Sequence, residues 1–420
     1  MARADYDSPL MFAQVDAASG LAVRTLPARL ARGFVGLRRF ARVTLETLKG
    51  RRIASEELTF CPNLDRQRVS DEGPLLSRYP AFCQGGFPFV RGMVWGVDAG
   101  WSATLSPQTG LTLRSRELRP GAYMLAMRMT AEYRNLLEVP EDAARATVRV
   151  KARKVSEGRG GHAVEEIEPG PPEAPGPASA RPTPAAVPNV VLPDPETMPD
   201  LAALPAFDVS LRNRRGRNVL RFAANSWNAG PSDVVIEGFR RPGRPVMDAY
   251  QYFLDADGDA VGRSPVGTLK YHAARGHEHW HLLQFAGYSL RSAATDRVVR
   301  GRKQSFCLLP TDAVDLTVPR ANWLAQGWQL SSACGAPSAI WVRQTLPVGW
   351  GDTYSAQLPG QAFDVTHLPN GRYVIRTEVN PLGLLSELTN SNNTASRMVR
   401  ISGKGAARRV RAGPWKGIRG

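Results

Sequence analysis

The sequence predicts an all-β fold, built from two tandem and related antiparallel β-sandwich-like modules joined by a Pro-rich linker. Three observations support this prediction. Short runs of alternating apolar and polar residues, such as "AYMLAMRM" and "RYVIRTEV", are bounded by Pro-Gly or Asn-Gly pairs, which is typical of antiparallel strands. A stretch rich in Pro, Gly, Ala and Glu divides the 420-residue chain. Three short motifs recur in the same order on both sides of that stretch.

The chain divides into five predicted segments. These are a basic N-terminal segment over residues 1–52, a β-module over 53–152, a linker over 153–198, a second β-module over 199–402 and a disordered basic tail over 403–420. The composition of the linker cannot bury a core and favours an extended, partly polyproline II conformation. The tail is basic and poor in apolar residues, which is typical of disorder.

The N-terminal segment has two open interpretations. Leu30, Phe34, Leu37, Phe40 and Leu48 recur at roughly helical spacing among many arginines. Such a helix lies on an anionic membrane or cell surface, as a peripheral contact, or it covers a neighbouring sheet. The first 20 residues lack the basic start and the apolar run of a signal peptide, so the sequence does not predict the secretory route directly.

Composition disfavours two classes of protein. The chain contains no run of about 18 apolar residues, so we expect no transmembrane helix. Its formal net charge is +16, which is compatible with an acidic partner. The arginines are scattered, however, and no nucleic-acid-binding motif accompanies them, so nucleic acid is not an expected partner.

The four cysteines, Cys61, Cys83, Cys307 and Cys334, lack the CxxC spacing of zinc ribbons and thioredoxins. Two local disulfides and four buried free thiols are the alternatives. The internal repeat favours the disulfides. "LTFCPN" resembles "QSFCLLP", "WGVDAGWSATL" resembles "WGDTYSAQL", and "LRPGAYMLAMRM" resembles "LPNGRYVIRTEV". Each copy has its own cysteine pair, which supports the pairings Cys61–Cys83 and Cys307–Cys334.

Residues 276–281, "GHEHWH", hold His277, His279 and His281, half of the six histidines. Alternate residues point about 200° apart on a helix but share one face of a strand, so the cluster is predicted on a strand. Three neutral imidazoles suit copper, zinc, iron or nickel and leave a position open for water, oxygen or substrate. The alternative is three separate histidines. His272 is either a support for the ligands or an ordinary strand residue.

Together with this cluster, "GRKQSFC" and the run from "GWGDTYSAQ" to "LTNSNN" resemble the lysyl oxidase family in order and content. The resemblance implies that His277, His279 and His281 bind copper. It also implies that Lys303 and Tyr354 join to form a lysine tyrosylquinone cofactor. The second module is then the lysyl oxidase-like catalytic domain.

The resemblance covers roughly residues 199–401 and implies a secreted amine oxidase, an oxidoreductase with dioxygen as acceptor. Such an enzyme deaminates primary amines, including lysine in proteins or peptides, to aldehydes and releases ammonia and hydrogen peroxide. In the first module Glu57 stands opposite Lys303 and Trp101 opposite Tyr354, so that module is predicted to be structural or to dock substrate. Paired cysteines favour an extracellular or cell-surface location. The alternatives are a metal-binding β-sandwich module and a surface adhesion protein, both without turnover.

The resemblance also implies a calcium site. "PDL" and "SELTNSNN" would supply oxygen ligands from Asp200, Leu201, Glu387, Asn392 and Asn393. An Asn-rich hairpin turn with ordinary side-chain to backbone hydrogen bonds is the alternative.

The catalytic base and residues 255–262 each have more than one interpretation. The catalytic base is unassigned, with Asp352 and Asp364 as candidates that also have ordinary structural interpretations. "DADGDAVG", residues 255–262, has the spaced aspartates of a calcium loop, but Ala260 stands where an EF-hand needs glycine. A hairpin turn is the prediction for this stretch.

Overall fold

A computed structural model gives the fold of the chain. The residues that it describes are 1–16, 21–105, 113, 118–152, 187–190, 193–241, 243–273, 278–324, 333–415 and 418, except for the side chains of 302–304. Strands supply nearly all regular structure in these residues, so the all-β prediction is confirmed. The chain forms two compact units. Unit 1 comprises Met1–Arg3, Pro9–Pro88 and Met93–Pro169, and unit 2 comprises Ala4–Ser8, Phe89–Gly92 and Gly170–Gly420.

The described part of unit 1 contains strands, one short helix and a 3₁₀ turn at Ala28–Leu30. The elements are β1 (Phe12–Val15), β2 (Ala22–Leu26), β3 (Leu37–Thr47), β4 (Arg52–Phe60), β5 (Arg66–Arg68), β6 (Trp101–Ala103), β7 (Gly121–Met129), α1 (Ala131–Leu136) and β8 (Arg145–Ala152). The main sheet has the order β4-β3-β7-β8, and every neighbouring pair is antiparallel.

The basic N-terminal segment does not form the helix that its apolar spacing predicts. Residues 22–26 and 37–47 are strands, and β3 is paired on both sides, with β4 and with β7. Ala41, Val43 and Leu45 are buried at alternate positions, which is the period of a strand. Pairing with two neighbours therefore outweighs the local helical pattern. The helix on which a peripheral membrane contact depended is not present, and no helix in the described residues is long and apolar enough to span a bilayer.

Unit 2 contains the remaining strands and two 3₁₀ turns, at Pro195–Thr197 and Gly405–Ala407. The strands are β9 (Leu201–Ala203), β10 (Phe207–Arg214), β11 (Arg217–Asn228), β12 (Val234–Arg240), β13 (Val246–Leu254), β14 (Ala260–His272), β15 (His279–Ser292), β16 (Val298–Phe306), β17 (Asp312–Ala313), β18 (Trp341–Leu346), β19 (Trp350–Tyr354), β20 (Ala362–Asp364), β21 (Gly371–Val379), β22 (Thr394–Ser402) and β23 (Arg409–Ala412).

Two sheets build unit 2. The larger has the order β18-β12-β13-β14-β15-β21-β22-β23, with β16 also paired to β15. The smaller has the order β10-β11-β19-β17, with β9 and β20 paired to β11. Aromatic rings from the two sheets meet in the core: Phe222 of β11 contacts Tyr288 of β15, and Tyr354 of β19 stacks on Phe306 of β16. Unit 2 is thus a sandwich whose two sheets share an aromatic interior.

The internal repeat appears in the topology of both units. In unit 1, β3 lies between β4 and β7, and in unit 2, β15 lies between β16 and β21. Each of β4 and β16 is followed directly by a disulfide-bonded cysteine, and the pairings Cys61–Cys83 and Cys307–Cys334 are confirmed. The hydroxyls of Tyr123 and Tyr373 each donate to the carbonyl four residues earlier, at 2.7 Å in both copies.

The described residues of the tail are ordered, contrary to the prediction of disorder. β23 pairs with β22 at the edge of the larger sheet. The ring of Trp415 lies 3.7 Å from the Arg397 guanidinium carbon and 4.9 Å from the Phe89 ring. Arg397 also donates to the carbonyls of Ala206 and Gly413. Contacts distant in sequence therefore hold a segment whose own composition cannot predict order.

The linker and the aspartate-rich stretch have different outcomes. Residues 153–186 of the linker lie outside the described residues, whereas Val190 donates its N–H to the carbonyl of Arg263 at 2.8 Å. The predicted hairpin turn is confirmed, because residues 255–259 join the antiparallel pair β13 and β14. The Asp255 carboxylate accepts hydrogen bonds from the N–H groups of Asp257 and Asp259, as a turn-forming aspartate does.

Replacing Trp415 with alanine tests whether the tail belongs to the fold. We expect W415A to lower the free energy of unfolding by about 2 kcal/mol, because the Arg397 and Phe89 contacts are lost. Thermal unfolding of the full chain measures this. W341A, which truncates a tryptophan 42% exposed, is the control with a smaller expected effect. An unfolding temperature for W415A equal to that of the wild type would contradict the prediction.

Candidate metal and cofactor site

The strand β15 places two of the three clustered histidines side by side. His279 and His281 occupy alternate positions, and their ring centroids are 4.6 Å apart. His281 is only 3% exposed. Trp280 between them points into the core, is fully buried, and donates its indole N–H to the carbonyl of Ala336 at 3.0 Å. The predicted strand placement therefore holds for this pair, while His277 lies outside the described residues.

A third imidazole comes from the neighbouring strand. His272 of β14 lies directly opposite His279, and its ring is 5.3 Å from that of His281, nearly parallel to it. Ser305 of β16 lies on the other side, with its Oγ 3.4 Å from Nδ1 of His281. His281 is thus surrounded by polar groups from both adjacent strands. The register between β14 and β15 brings His272 here, where its interpretation as a support for the ligands requires it to lie.

The described side chains fit part of a metal site. Two adjacent imidazoles on one strand face are a nitrogen donor set of the kind that copper or zinc takes. Among the residues with described positions, no three His, Cys, Asp or Glu side chains converge as a complete ligand set. The remaining ligand of the predicted cluster, His277, is not among those residues.

Lys303 lies on β16, the strand that pairs with the histidine-bearing β15. Its backbone stands opposite Gly287, and its side chain is not described. Ser305, the residue two positions later, makes the contact with His281. The backbone of Lys303 therefore lies two residues along β16 from Ser305, the residue that contacts His281.

Tyr354, at the end of β19, is buried against the end of β16. Its hydroxyl accepts a hydrogen bond from the N–H of Cys307 at 3.1 Å and donates to the carbonyl of Cys307 at 3.3 Å. Its ring stacks on Phe306 with centroids 3.6 Å apart. Burial raises the pKa of the Tyr354 phenol well above its usual value, and the charge of Asp352 raises it further. The phenol therefore keeps its proton in this environment.

Two routes connect the Tyr354 anchor to the histidine strand. The Cys307–Cys334 disulfide leads to the carbonyl of Cys334, which accepts the N–H of Trp280 at 2.9 Å. The side chain of Gln344, fully buried, accepts the N–H of Leu308 at 3.3 Å and donates to the carbonyl of Trp280 at 2.8 Å. Sequence reasoning missed Gln344, because a single glutamine in a strand gives no signal of a bridging role.

The backbone of Lys303 and the Tyr354 hydroxyl lie toward the same end of β16. Cys307 follows Lys303 by four positions, so an extended chain places the two Cα atoms about 13 Å apart. A bond between the lysine nitrogen and the phenol ring therefore requires the lysine side chain and the ring to span the gap between these two backbone positions.

The two candidate bases lie in different environments. Asp364 is exposed and accepts hydrogen bonds from Thr366, which lower the pKa of its carboxyl. Asp352 is 3% exposed, and burial raises the pKa of its carboxyl well above its usual value. One oxygen accepts the N–H of Leu309, while Oδ2 has no hydrogen-bond partner among the described residues. The structure thus gives Asp364 an ordinary turn role and leaves Asp352 unexplained.

The residues of the predicted calcium site come together in unit 2. Glu387 accepts hydrogen bonds from the side chains of Asn380 and Asn393, at 2.6 and 2.7 Å, and from the N–H of Leu201 at 3.0 Å. Asn392 donates its amide to Oδ2 of Asp200 at 3.1 Å. This network joins the start of β9 to the turn before β22.

Three oxygens of this network have no hydrogen-bond partner among the described residues, although they are buried. They are the Oδ1 atoms of Asp200, Asn392 and Asn393. Burial raises the pKa of both carboxyls, Asp200 and Glu387. A buried polar atom without a partner is costly, and several converging oxygens are what a hard cation binds. A calcium site therefore accounts for these oxygens better than a simple hairpin turn does.

Comparison with known proteins bears on the C-terminal unit. Residues 257–409 match the model of the lysyl oxidase family. Protein-lysine 6-oxidase of Sus scrofa is 29% identical over 200 residues, 47% of this chain and 63% of that protein. Protein-lysine 6-oxidase of Homo sapiens is 29% identical over 200 residues, 47% of this chain and 37% of its own length. Lysyl oxidase homolog 1 of Homo sapiens is 30% identical over 148 residues, 35% of this chain and 23% of that protein. The chain matches less than two thirds of the length of each relative.

Removing the Tyr354 hydroxyl tests the anchor. We expect Y354F to lower the free energy of unfolding by about 1–3 kcal/mol, because the buried N–H and carbonyl of Cys307 lose their partner. Chemical denaturation measures the loss. Y250F, which deletes the hydroxyl of a half-buried ring on β13, serves as a control with an expected change of about 0.5 kcal/mol or less. Equal stabilities of Y354F and Y250F would show that the hydroxyl does not anchor the segment.

Proposed function

The chain belongs to the lysyl oxidase family through its C-terminal unit, and from this premise we propose that it is a copper- and quinone-dependent amine oxidase. Its reaction is the oxidative deamination of primary amines, including peptidyl lysine, to aldehydes, with dioxygen consumed and ammonia and hydrogen peroxide released. The observation that carries the proposal is the position of Tyr354, buried against Cys307 at the end of the Lys303 strand and tied to the histidine strand through Trp280.

In this proposal the copper ligands are His277, His279 and His281. The described pair supports it, because their rings lie side by side and His281 is buried. Copper with dioxygen would supply the oxidation of the phenol, and the quinone built from Lys303 and Tyr354 would supply the electrophile that takes up a substrate amine. His272 would lie beside the ligands as a support from β14.

The chain's own residues would orient and shield the phenol. Phe306 holds one face of the Tyr354 ring, and the Cys307 backbone holds its hydroxyl. Burial keeps bulk water away and keeps the phenol protonated, so Tyr354 is inert until a proton acceptor and an oxidant are both present. Lys303 must also lose its proton before its nitrogen can add to a ring, which a buried, cationic surrounding would favour.

The substrate class follows from the proposed chemistry. A primary amine enters as an ammonium ion, and the chain itself carries a formal net charge of +16. Long-range repulsion therefore disfavours strongly basic substrates, and small amines or lysines in a locally acidic context are the better candidates. The two disulfides support an extracellular or cell-surface location, where such bonds persist.

A second ion site is part of the proposal. Asp200, Glu387, Asn392, Asn393 and the Leu201 carbonyl would bind calcium, with the three unpartnered oxygens as the supporting observation. The ion would join β9 to the turn before β22 and would compensate the buried carboxylates. Its role would be structural, since the network contains none of the residues proposed for the reaction.

A metal-binding β-module without turnover is the competing function. The hydrogen bonds between the Tyr354 hydroxyl and the Cys307 backbone favour this second function, because structural tyrosines make such bonds. In that case the protein binds the metal through the same histidines but never modifies the tyrosine.

Loading the full chain with copper in air separates these two functions. We expect a visible absorbance band and positive quinone staining in the wild type, and neither in K303A or Y354F. H281A should lose both copper and the band, because the buried ligand is gone. Y250F is the matched control and should form the band normally. Persistent absence of the band in wild type with copper shown bound would favour the binding module.

Adding calcium to the chelator-treated protein tests the second site. We expect the unfolding temperature to rise by several degrees in wild type and to stay unchanged in N393A, which removes one unpartnered oxygen. Magnesium, which prefers a more compact octahedral site, should have a smaller effect. Equal responses of wild type and N393A to calcium would overturn the assignment.

A further inference from the structure

Asp352 is a buried carboxylate that the proposed function leaves without a task. It lies on β19, two residues before Tyr354, so both side chains project from the same face of the strand. It is 3% exposed, and its Oδ2 atom has no hydrogen-bond partner among the described residues. A buried carboxyl oxygen without a partner costs stability, so its presence indicates a use.

Asp352 and Tyr354 hold the same segment of chain. Tyr354 is bonded to both backbone groups of Cys307, and Asp352 accepts the N–H of Leu309, two residues later. Tyr354 and Asp352, at alternate positions of β19, are therefore hydrogen-bonded to Cys307 and Leu309, at alternate positions after β16. This double contact fixes the carboxyl relative to the phenol and leaves one of its oxygens available.

The surroundings of the pair are polar but closed. Tyr288 of β15 is 5% exposed, and burial raises the pKa of its phenol, which the nearby charge of Asp352 raises further. The side chain of Gln361, 1% exposed, lies beside Tyr288. Among the described residues, the titratable groups that act on the Asp352 carboxyl or respond to it are Asp312, Tyr288 and Tyr354.

We propose that Asp352 is the proton acceptor that prepares Tyr354 for oxidation during cofactor formation, an inference that rests on the proposed function. The O–H bond of Tyr354 breaks and an O–H bond forms on Oδ2 of Asp352. One bridging water relays the proton and is regenerated, because no hydrogen bond among the described residues joins the phenol to Oδ2 directly. The negative charge moves from the carboxylate to the phenol oxygen, so the net charge of the buried cluster does not change. The electron-rich phenolate is then oxidised to an ortho-quinone by the dioxygen that the proposed function already requires. One oxygen atom enters the ring, and the other leaves as water with the displaced ring hydrogen and the proton held by Asp352.

This assignment explains why the two side chains stand in one closed environment. Moving a proton to bulk water from a buried phenol would leave an uncompensated charge, which is costly in a low-dielectric interior. Transfer to a neighbouring buried carboxylate avoids that cost. Burial raises the pKa of Asp352, which makes its carboxylate a stronger base than an exposed one.

The pH dependence has a definite sign. Asp352 accepts a proton only when ionised, so quinone formation in wild type should accelerate as pH rises through its raised pKa. The folded-state pKa lies above the unfolded one, so ionising Asp352 destabilises the fold. Its contribution to stability is fully present below the unfolded pKa, about 4, and is lost as pH rises through the folded value.

The test follows the quinone band after copper addition to full-length wild type, D352N, D352E and D364N across the pH range. We expect D352N to bind copper, to form the band about 100-fold more slowly or not at all, and to lose the pH-dependent rise. D352E should restore part of the rate, and D364N, on an exposed turn, should match wild type. Thermal unfolding should show D352N at least as stable as wild type at neutral pH, because a buried acidic group is removed.

Each other outcome has a separate meaning. Band formation in D352N at the wild-type rate, with the same pH profile, overturns the inference and leaves the proposed function intact. Loss of the band in D352N together with a lowered unfolding temperature and no rescue in D352E also overturns it, because the role is then structural. A wild type that binds copper but forms no band at any pH refutes the proposed function itself.

Discussion

The Tyr354 hydroxyl joins the two sheets of unit 2 through the backbone of Cys307. β19 belongs to the smaller sheet and Cys307 follows β16 of the larger one, so this bond fixes the end of β16 against its neighbour. The distance between the phenol and the histidine strand depends on it. From Cys307 one path runs through the disulfide to Cys334 and on to the N–H of Trp280. The other runs from Leu308 through Gln344 to the carbonyl of the same Trp280.

Trp280 therefore holds the positions of His279 and His281, which flank it on the strand. Its indole is fully buried and bonded, and both of its backbone groups are held, so the residues on either side have little freedom. The proposed copper site would need little reorganisation to bind an ion on so constrained a strand. The repeat in unit 1 shows the same strand order and disulfide without this site. There Glu57 occupies the position of Lys303 and pairs with Arg39 and Arg42.

Sequence reasoning predicted what depends on local pattern. Alternate spacing placed His279 and His281 on one strand face, and the repeat gave both disulfides. It failed where distant contacts decide. The apolar spacing around β3 is helical in isolation, but the segment is a strand because β4 and β7 pair with it. The tail is ordered because the Trp415 ring packs on the Arg397 guanidinium group. The choice between the two interpretations of His272, the role of Gln344 and the contrast between Asp352 and Asp364 depend on register and burial, which one sequence does not display.

The proposed oxidase requires Lys303 and Tyr354 to become one covalent group. Peptide mass spectrometry of the copper-loaded, air-exposed chain tests it most directly. We expect a proteolytic peptide in which the segments containing Lys303 and Tyr354 remain joined after the disulfides are reduced. Recovery of both segments only as separate, unmodified peptides, from protein with copper shown bound, would contradict it.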